Sequence, residues 1–269
     1  MKNIVIITGA SSGMGKEFAL QVADNYKYDE LWLIARRKDK LDELCLQINN
    51  KVQKSLAKNF SIDLSSKEEI FAFEKILEEE NRKEEITIGL LINNAGFGTY
   101  GPFEETSVQK EMQMIDLNCT SLTGFCGICL PYLKKNSVII NTASLASFMP
   151  LGNFAVYAAS KAYVLSFSIA LRAELKEKGI KVCALCPGSV STEFANVASS
   201  GVRKEVKGGH DPVKVVRHCL KKAFKGKSMA LWYPKWKITA FLSRFIGRNL
   251  VASYTYKYNK RPHINEKKV

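Results

Sequence analysis

The chain has 269 residues, 46% hydrophobic and 25% charged, the balance of a soluble globular protein with one sizeable core. It contains no apolar run of about 18 residues or more, which argues against a spanning helix, and its seven cysteines, an odd number, argue for a reducing cytosol over a disulfide framework. The net charge of +14 is local: residues 203–269 hold 18 Lys/Arg against 3 Asp/Glu, leaving 22 against 23 in residues 1–202.

Met1-Lys2-Asn3 leads directly into Ile4-Val5-Ile6-Ile7. That run is too short for a signal-peptide core and lacks a cleavage site, so it is read as a buried strand. Thr8-Gly9-Ala10-Ser11-Ser12-Gly13-Met14-Gly15 follows, then Glu17–Val22 at helical spacing. A strand, a glycine-rich turn and a helix, in that order, make a phosphate cradle: Gly9 permits the tight turn, and Gly13 and Gly15 let the backbone approach a pyrophosphate. A lone GxGxxG is weak; T-G-x-x-x-G-x-G at the start of the chain is a narrower pattern.

The second strand, 31–35, ends in Ala35-Arg36-Arg37-Lys38. An acid at this tip would select a free ribose 2′-hydroxyl; two arginines suit a 2′-phosphate, so NADP is expected over NAD. The plainer alternative is that they begin a solvated helix. A helix is expected over 41–58 and a short strand over 59–62. The strand ends in Asp63-Leu64, where a carboxylate can accept from the adenine amino group. A helix over 67–83 and a strand over 88–92 follow, the strand running into Asn93-Asn94-Ala95-Gly96. Small residues and an amide at a strand's C-terminal end fit the crevice where ligands bind in open parallel sheets.

The stretch 104–133 reads as a long helix closed near Pro131, and 138–141 as a buried strand leading to Thr142-Ala143-Ser144. A hydroxyl at Ser144 can hold a substrate oxygen and stabilise its developing charge; Ser147 is its rival. Tyr157 and Lys161 open a helix over 157–178, one turn apart on one face. A lysine ammonium beside a phenol is expected to lower its pKa from about 10 and make it a usable proton donor and acceptor. Alone, such a pair is more often a surface accident.

Cys126/Cys129 and Cys183/Cys186 imitate a four-thiolate zinc site, but the first pair lies mid-helix and the second in a strand, where positions three apart face opposite ways. Small core residues are the better reading, and no metal is expected. No spacing among His210, His218 and His263 suggests a ligand set. After the strand 181–185 and Pro187–Thr192, the Gly/Ser/Ala-rich stretch 193–210 is expected to cover the substrate. A helix over 212–225 and a last strand over 229–232 complete the core. A helix over 236–251, with apolar and basic residues interleaved, allows three readings: a docking helix at the pocket or a subunit contact, an interfacial membrane helix, or an attractor for an acidic substrate or carrier. The tail 254–269 is expected to be partly disordered. Its tyrosines and lysines carry no further nucleic-acid motif, so nucleic acid is not expected as a partner.

Thr8–Gly15, Asp63, Asn93–Gly96, Asn118, Ser144, Tyr157, Lys161 and Pro187-Gly188 together resemble the motif set of the short-chain dehydrogenase/reductase family, in order and at its spacing, over roughly residues 2–231. The resemblance implies a doubly wound Rossmann fold with a seven-stranded parallel sheet, an NADP-binding catalytic domain over 1–231, and a basic aromatic extension over 232–269. It gives Asn118 the part of bending its helix and holding a water that links Lys161 to solvent, and makes Ser144, which precedes Tyr157 by the family's usual interval, the orienting hydroxyl. It gives Lys161 the nicotinamide ribose, Val190 the carboxamide, and Thr192 the nicotinamide or phosphate side. It implies packing of the helices at 107–133 and 157–178 in a homodimer or homotetramer. The expected reaction exchanges a hydride with the nicotinamide while Tyr157 gives or takes the proton.

Aromatic residues near the pocket-forming end (Phe97, Tyr100, Phe103, Phe148, Phe154, Phe194 and Trp232) point to a bulky apolar ketone or alcohol. A hydroxysteroid or bile acid is the first expectation and a 3-oxoacyl thioester, on CoA or a carrier protein, the second. A non-catalytic NADP-sensing or membrane-associated scaffold is the alternative of another class. The intact Ser144, Tyr157 and Lys161 count against it.

Overall fold

The computed structural model describes residues 1–54, 56–204 and 208–266. Seven parallel strands form one sheet in the order β3-β2-β1-β4-β5-β6-β7: β1 Lys2–Thr8, β2 Glu30–Ala35, β3 Ala57–Ser61, β4 Ile86–Asn93, β5 Val138–Thr142, β6 Lys181–Leu185 and β7 Met229–Ala230. Parallel strands buried on both faces need continuous apolar runs, which is why Val5–Ile7, Leu31–Ile34 and Leu90–Ile92 show no polar alternation. The order reverses between β1 and β4, leaving a crevice beyond their C-terminal ends.

Helices cover both faces. On one, α1 Gly13–Asn25, α2 Lys38–Val52 and α8 Pro212–Phe224 pack Phe18, Val22, Leu44 and Val216 on Val5, Ile7 and Leu33. On the other, α3 Lys67–Lys83, α5 Ser121–Cys129 and α6 Ala155–Glu174 pack Phe73, Phe125 and Val164 on Ile6, Trp32 and Ile139. Trp32 meets Phe60 and Phe73, and Phe73 stacks on Phe125 at 5.1 Å. Truncating one such buried aromatic to alanine costs roughly 3–5 kcal/mol. Cys183 and Cys186 lie on opposite faces of the sheet, one in each core.

Three expectations are adjusted. The long helix expected within 104–133 runs without a gap as α4 Val108–Ile115, a π-helical turn Asp116–Thr120, α5 and a 3₁₀ turn Leu130–Tyr132, preceded by a separate 3₁₀ turn Phe103–Glu105. Ser107 caps α4, accepting from the Lys110 N–H. The helix over 236–251 is two, α9 Pro234–Leu242 and α10 Arg248–Tyr258, with Gly247 at the N-cap of the second. The tail is ordered at least to Glu266: it turns back after α10 and bonds to Glu105, Ser107, Lys110 and Ser200. Smaller shifts place α2 and β3 a few residues earlier than expected, close β7 at Ala230, and end α6 at Glu174. The covering stretch 193–210 holds α7 Phe194–Ala198, and its residues 205–207 lie outside the described residues. No described helix is long and apolar enough to cross a membrane.

Candidate active site

The crevice between the ends of β1 and β4 opens into a cleft of about 1180 Å³. Its floor is pinned by one hydroxyl: Thr8 Oγ1 accepts from the backbone N–H of Asn94 (3.0 Å) and of Ala95 (3.1 Å). Asn94 answers from the other strand, its Nδ2 donating to the Thr8 and Gly9 carbonyls at 3.3 Å each. The loop between them admits no side chain at two positions. Gly9 has φ +66° and a Cβ there would stand 2.8 Å from Ala95 Cα; a Cβ on Gly15 would stand 2.0 Å from the Gly9 carbonyl oxygen. Gly15 therefore braces the loop from behind, while Gly9, Ser11, Ser12, Gly13, Met14 and Asn94 line the cleft.

The first turn of α1 carries no side-chain cap, so its free N–H groups and the positive end of its dipole face the cleft. These donors, with Arg36 and Arg37 at the tip of β2, fit a dinucleotide phosphate. Arg37 is already engaged: its guanidinium donates to Glu193 Oε2 at 3.1 Å and to Ser11 Oγ at 3.3 Å. Asp63 does not face the cleft wall formed by Ile62 and Leu64; it closes its own turn, accepting from the Ser65 N–H at 3.0 Å and hydroxyl at 2.7 Å. Burial pushes its carboxyl up, but the Ser65 bonds and the Arg36 charge outweigh this and hold it below the usual range. Ala95, Gly96, Pro187, Gly188, Val190 and Thr192 line the middle of the cleft.

At the inner end stand Ser144, Tyr157 and Lys161, all buried. Ser144 lies at the N-cap of a 3₁₀ turn, Leu145–Phe148, its Oγ accepting from the Ala146 N–H at 3.1 Å and donating to the Pro187 carbonyl at 3.4 Å. Ser147 is spent elsewhere, donating to the Lys161 carbonyl at 2.7 Å. Lys161 Nζ donates to the Thr142 carbonyl at 2.8 Å and lies 5.8 Å from the Tyr157 ring centroid. Asn118 sits in the π-helical turn, so the expected bend is present. Its Oδ1 accepts from the Phe97 N–H (3.1 Å) and its Nδ2 donates to the Phe97 carbonyl and Ser160 Oγ, both at 3.0 Å. Through those three bonds it ties the loop after β4 to the first turns of α6, where Tyr157 stands.

The electrostatics differ from the expectation. The Tyr157 phenol is not lowered: burial pushes it up to about 12, the Ser144 hydrogen bond opposing, Tyr100 adding, and the Arg261 charge opposing. Lys161 moves the other way, burial bringing it down to about 8 with Cys119 opposing. Desolvation, the largest cause at both groups, disfavours the charged form of each.

Beyond Tyr157 the cleft is walled by rings. Phe154 stacks on Tyr157 at 4.1 Å, Tyr100 meets Phe154 at 5.0 Å, and Phe194 meets Tyr157 at 5.4 Å. His210, Glu193 and Arg261 also line the cleft. None follows from a local motif; each arrives from a distant segment. His210 pairs with Val190 through an isolated bridge and packs on Trp232, Tyr233 and Trp236.

Residues 3–202 match the family model described as short chain dehydrogenase. A very-long-chain 3-oxoacyl-CoA reductase of Neurospora crassa is 32% identical over 97% of this chain and 77% of its own length. Among solved structures, a short-chain dehydrogenase from Sphingobium yanoikuyae in complex with NADPH has a TM-score of 0.77 at 28% identity, covering 90% of this chain and 94% of that one. The bulky-bulky ketone specific alcohol dehydrogenase from Comamonas testosteroni has a TM-score of 0.72 at 25% identity, covering 91% and 92%.

Proposed function

Because the chain belongs to the short chain dehydrogenase family and is an oxidoreductase acting on CH–OH groups, we propose that it reduces the 3-oxo group of a fatty acyl thioester, using NADPH. The observation that carries this reading is similarity along 97% of the chain to a reductase whose name states that substrate. It moves the acyl thioester ahead of the hydroxysteroid, since the apolar wall of Tyr100, Leu151, Phe154, Phe194 and Val197 suits an alkyl chain as well as a ring system. The ordered Ser144, Tyr157 and Lys161 favour turnover over a sensing scaffold.

When bound, the nicotinamide supplies the hydride. The uncapped first turn of α1 receives the pyrophosphate. Arg36, with Arg37 if it exchanges Glu193 for the ligand, suits a 2′-phosphate better than a hydroxyl, and this supports NADP over NAD. Ile62 and Leu64 offer the adenine an apolar wall, with Asp63 at its edge. Lys161 holds the ribose, and Pro187, Gly188, Val190 and Thr192 bound the nicotinamide. Ser144 Oγ holds the carbonyl oxygen against Tyr157 Oη, which carries the proton to be donated. Asn118 keeps α6 in register and, at the π turn, is the place for a water leading from Lys161.

The wider setting is part of the same proposal. All seven cysteines are free and buried, which suits the cytoplasm. The face of α6 around Tyr163 and Ile169, both exposed, is the surface for a second subunit. The bend between α9 and α10 exposes Ile238 (58%), Phe241 (56%), Phe245 (73%) and Leu250 (66%), while residues 212–265 carry 13 Lys/Arg and no Asp or Glu. That combination suits peripheral contact with an anionic membrane, beside a cleft whose rim includes Tyr233, Lys235 and Thr239.

The test is a panel of 3-oxoacyl thioesters and hydroxysteroid ketones with NADPH or NADH, followed by cofactor absorbance. Turnover is expected with the thioesters and NADPH. Faster reduction of steroids, a preference for NADH, or tight NADPH binding without turnover of any carbonyl would each overturn the reading.

A further inference from the structure

The chain end forms a strap across the cleft. Upstream it is fastened at α10: Thr255 Oγ1 accepts from the Gly152 N–H at 2.9 Å, and Asn153 Nδ2 donates to the Tyr256 carbonyl at 3.0 Å. Downstream, His263 Nε2 meets Glu105 Oε2 at 2.8 Å, and the Glu266 carboxylate takes the Lys110 ammonium, the Ser200 hydroxyl (2.8 Å) and the Ser107 N–H (3.0 Å). These fastenings reach the 3₁₀ turn at 103–105, the start of α4 and the loop after α7. Between them stands Arg261.

Its guanidinium lies over two rings, with Cζ 4.6 Å from the Phe154 centroid and 5.0 Å from that of Tyr100. Phe154 stacks directly on Tyr157, so a single ring separates the cation from the proton donor. A cation attracted to ring faces makes no hydrogen bond to them and keeps its N–H donors for other partners. Among the described residues no carboxylate or carbonyl accepts from its guanidinium fork; the residue's hydrogen bond is made by its backbone carbonyl, to His263 Nδ1 at 2.8 Å. A cation held at the wall of the cleft, with no acceptor for its donors among the described residues, is placed to meet an acceptor oxygen on the ligand.

We infer that Arg261 is a specificity-determining residue, whose N–H fork receives the C1 oxygen of a 3-oxoacyl group while Ser144 and Tyr157 hold the C3 oxygen. The inference rests on the acyl thioester reading and adds to it what the substrate must carry beside the reacting carbonyl. A 1,3-dicarbonyl carries a second acceptor oxygen a few bonds from the reacting one. A simple ketone has nothing to place there. A thioester carbonyl and a free carboxylate share the chemistry and differ in charge.

The full chain with NADPH is assayed on three substrates of equal carbon length: a 3-oxoacyl thioester, the free 3-oxo acid, and a ketone lacking the C1 oxygen. Native protein is compared with Arg261→Lys and Arg261→Met through the ratio of kcat/KM for thioester over ketone, which is independent of the fraction of protein folded. One charge-assisted hydrogen bond predicts that the ratio falls roughly 10–100-fold in Arg261→Met, with partial recovery in Arg261→Lys. An unchanged ratio overturns the inference, as does a fall confined to the free acid. If native protein reduces the ketone but no 3-oxoacyl thioester, the substrate reading itself has failed, and the inference goes with it.

Discussion

The proton donor and the cation beside it are displaced in opposite directions by the same cause. Tyr157, pushed up to about 12, is protonated well below that pH, the form the proposed proton donor must have. Lys161, brought down to about 8 by burial, is charged below that pH and neutral above it. Reductive kcat/KM is therefore expected to be level up to about pH 8 and to fall as pH rises through it. A pH profile of ketone reduction at saturating NADPH reads this directly; a rate that rises through the same window would contradict it. Ser144, Tyr157 and Lys161 were singled out together by resemblance to the family's motif set, and the fold brings them to one end of the cleft. The directions of their pKa shifts were not legible in the sequence, because desolvation depends on Phe154, Tyr100 and the rest of the buried wall, which come together only in the fold. Asp63 carries a second duty that the expectation did not include: its carboxylate accepts from Ser65, two residues on, and closes a local bend.

Among the elements, the strands were the most legible, since a parallel sheet covered on both faces leaves uninterrupted apolar runs that little else produces. Helix extents were less so. Apolar spacing runs on from Ile238 to Ile246, so the two C-terminal helices read as one, and only Gly247 marked the break. The long helix before β5 hid its π turn because a single inserted residue disturbs apolar periodicity too little to notice; Asn118 signalled it by resemblance to a family, not by pattern. The strap over 259–266 had no periodicity at all. Its order comes from partners far along the chain, such as Glu105 for His263, 158 positions away, and Lys110 for Glu266, 156 positions away, and long-range pairing of this kind leaves no local trace.

For the molecule as a whole, charge and apolar surface are arranged together. Residues 1–202, which carry most of the sheet, are nearly neutral, while the positive excess falls on the last quarter of the chain, the part that carries the exposed rings of α9 and α10. Each Lys or Arg near an anionic bilayer contributes on the order of 1 kcal/mol, and an amphipathic face adds its buried apolar area. The full chain should therefore float with phosphatidylserine vesicles and not with neutral ones. Phe241→Ser with Phe245→Ser should lower recovery severalfold while leaving soluble turnover intact, because both side chains are mostly exposed. Equal recovery of native and variant protein would show that the bend does not touch lipid. A cleft that opens beside that bend would take long-chain substrates from the surface where they gather.

The most direct test of the account is replacement of one oxygen. Tyr157→Phe keeps the ring that stacks on Phe154 and removes the group that donates the proton. With NADPH binding measured on the same sample by fluorescence, the account predicts binding within a few-fold of native and a loss of about 10²–10⁴ in kcat on a 3-oxoacyl thioester. Undiminished turnover in a variant that still binds the cofactor would contradict it.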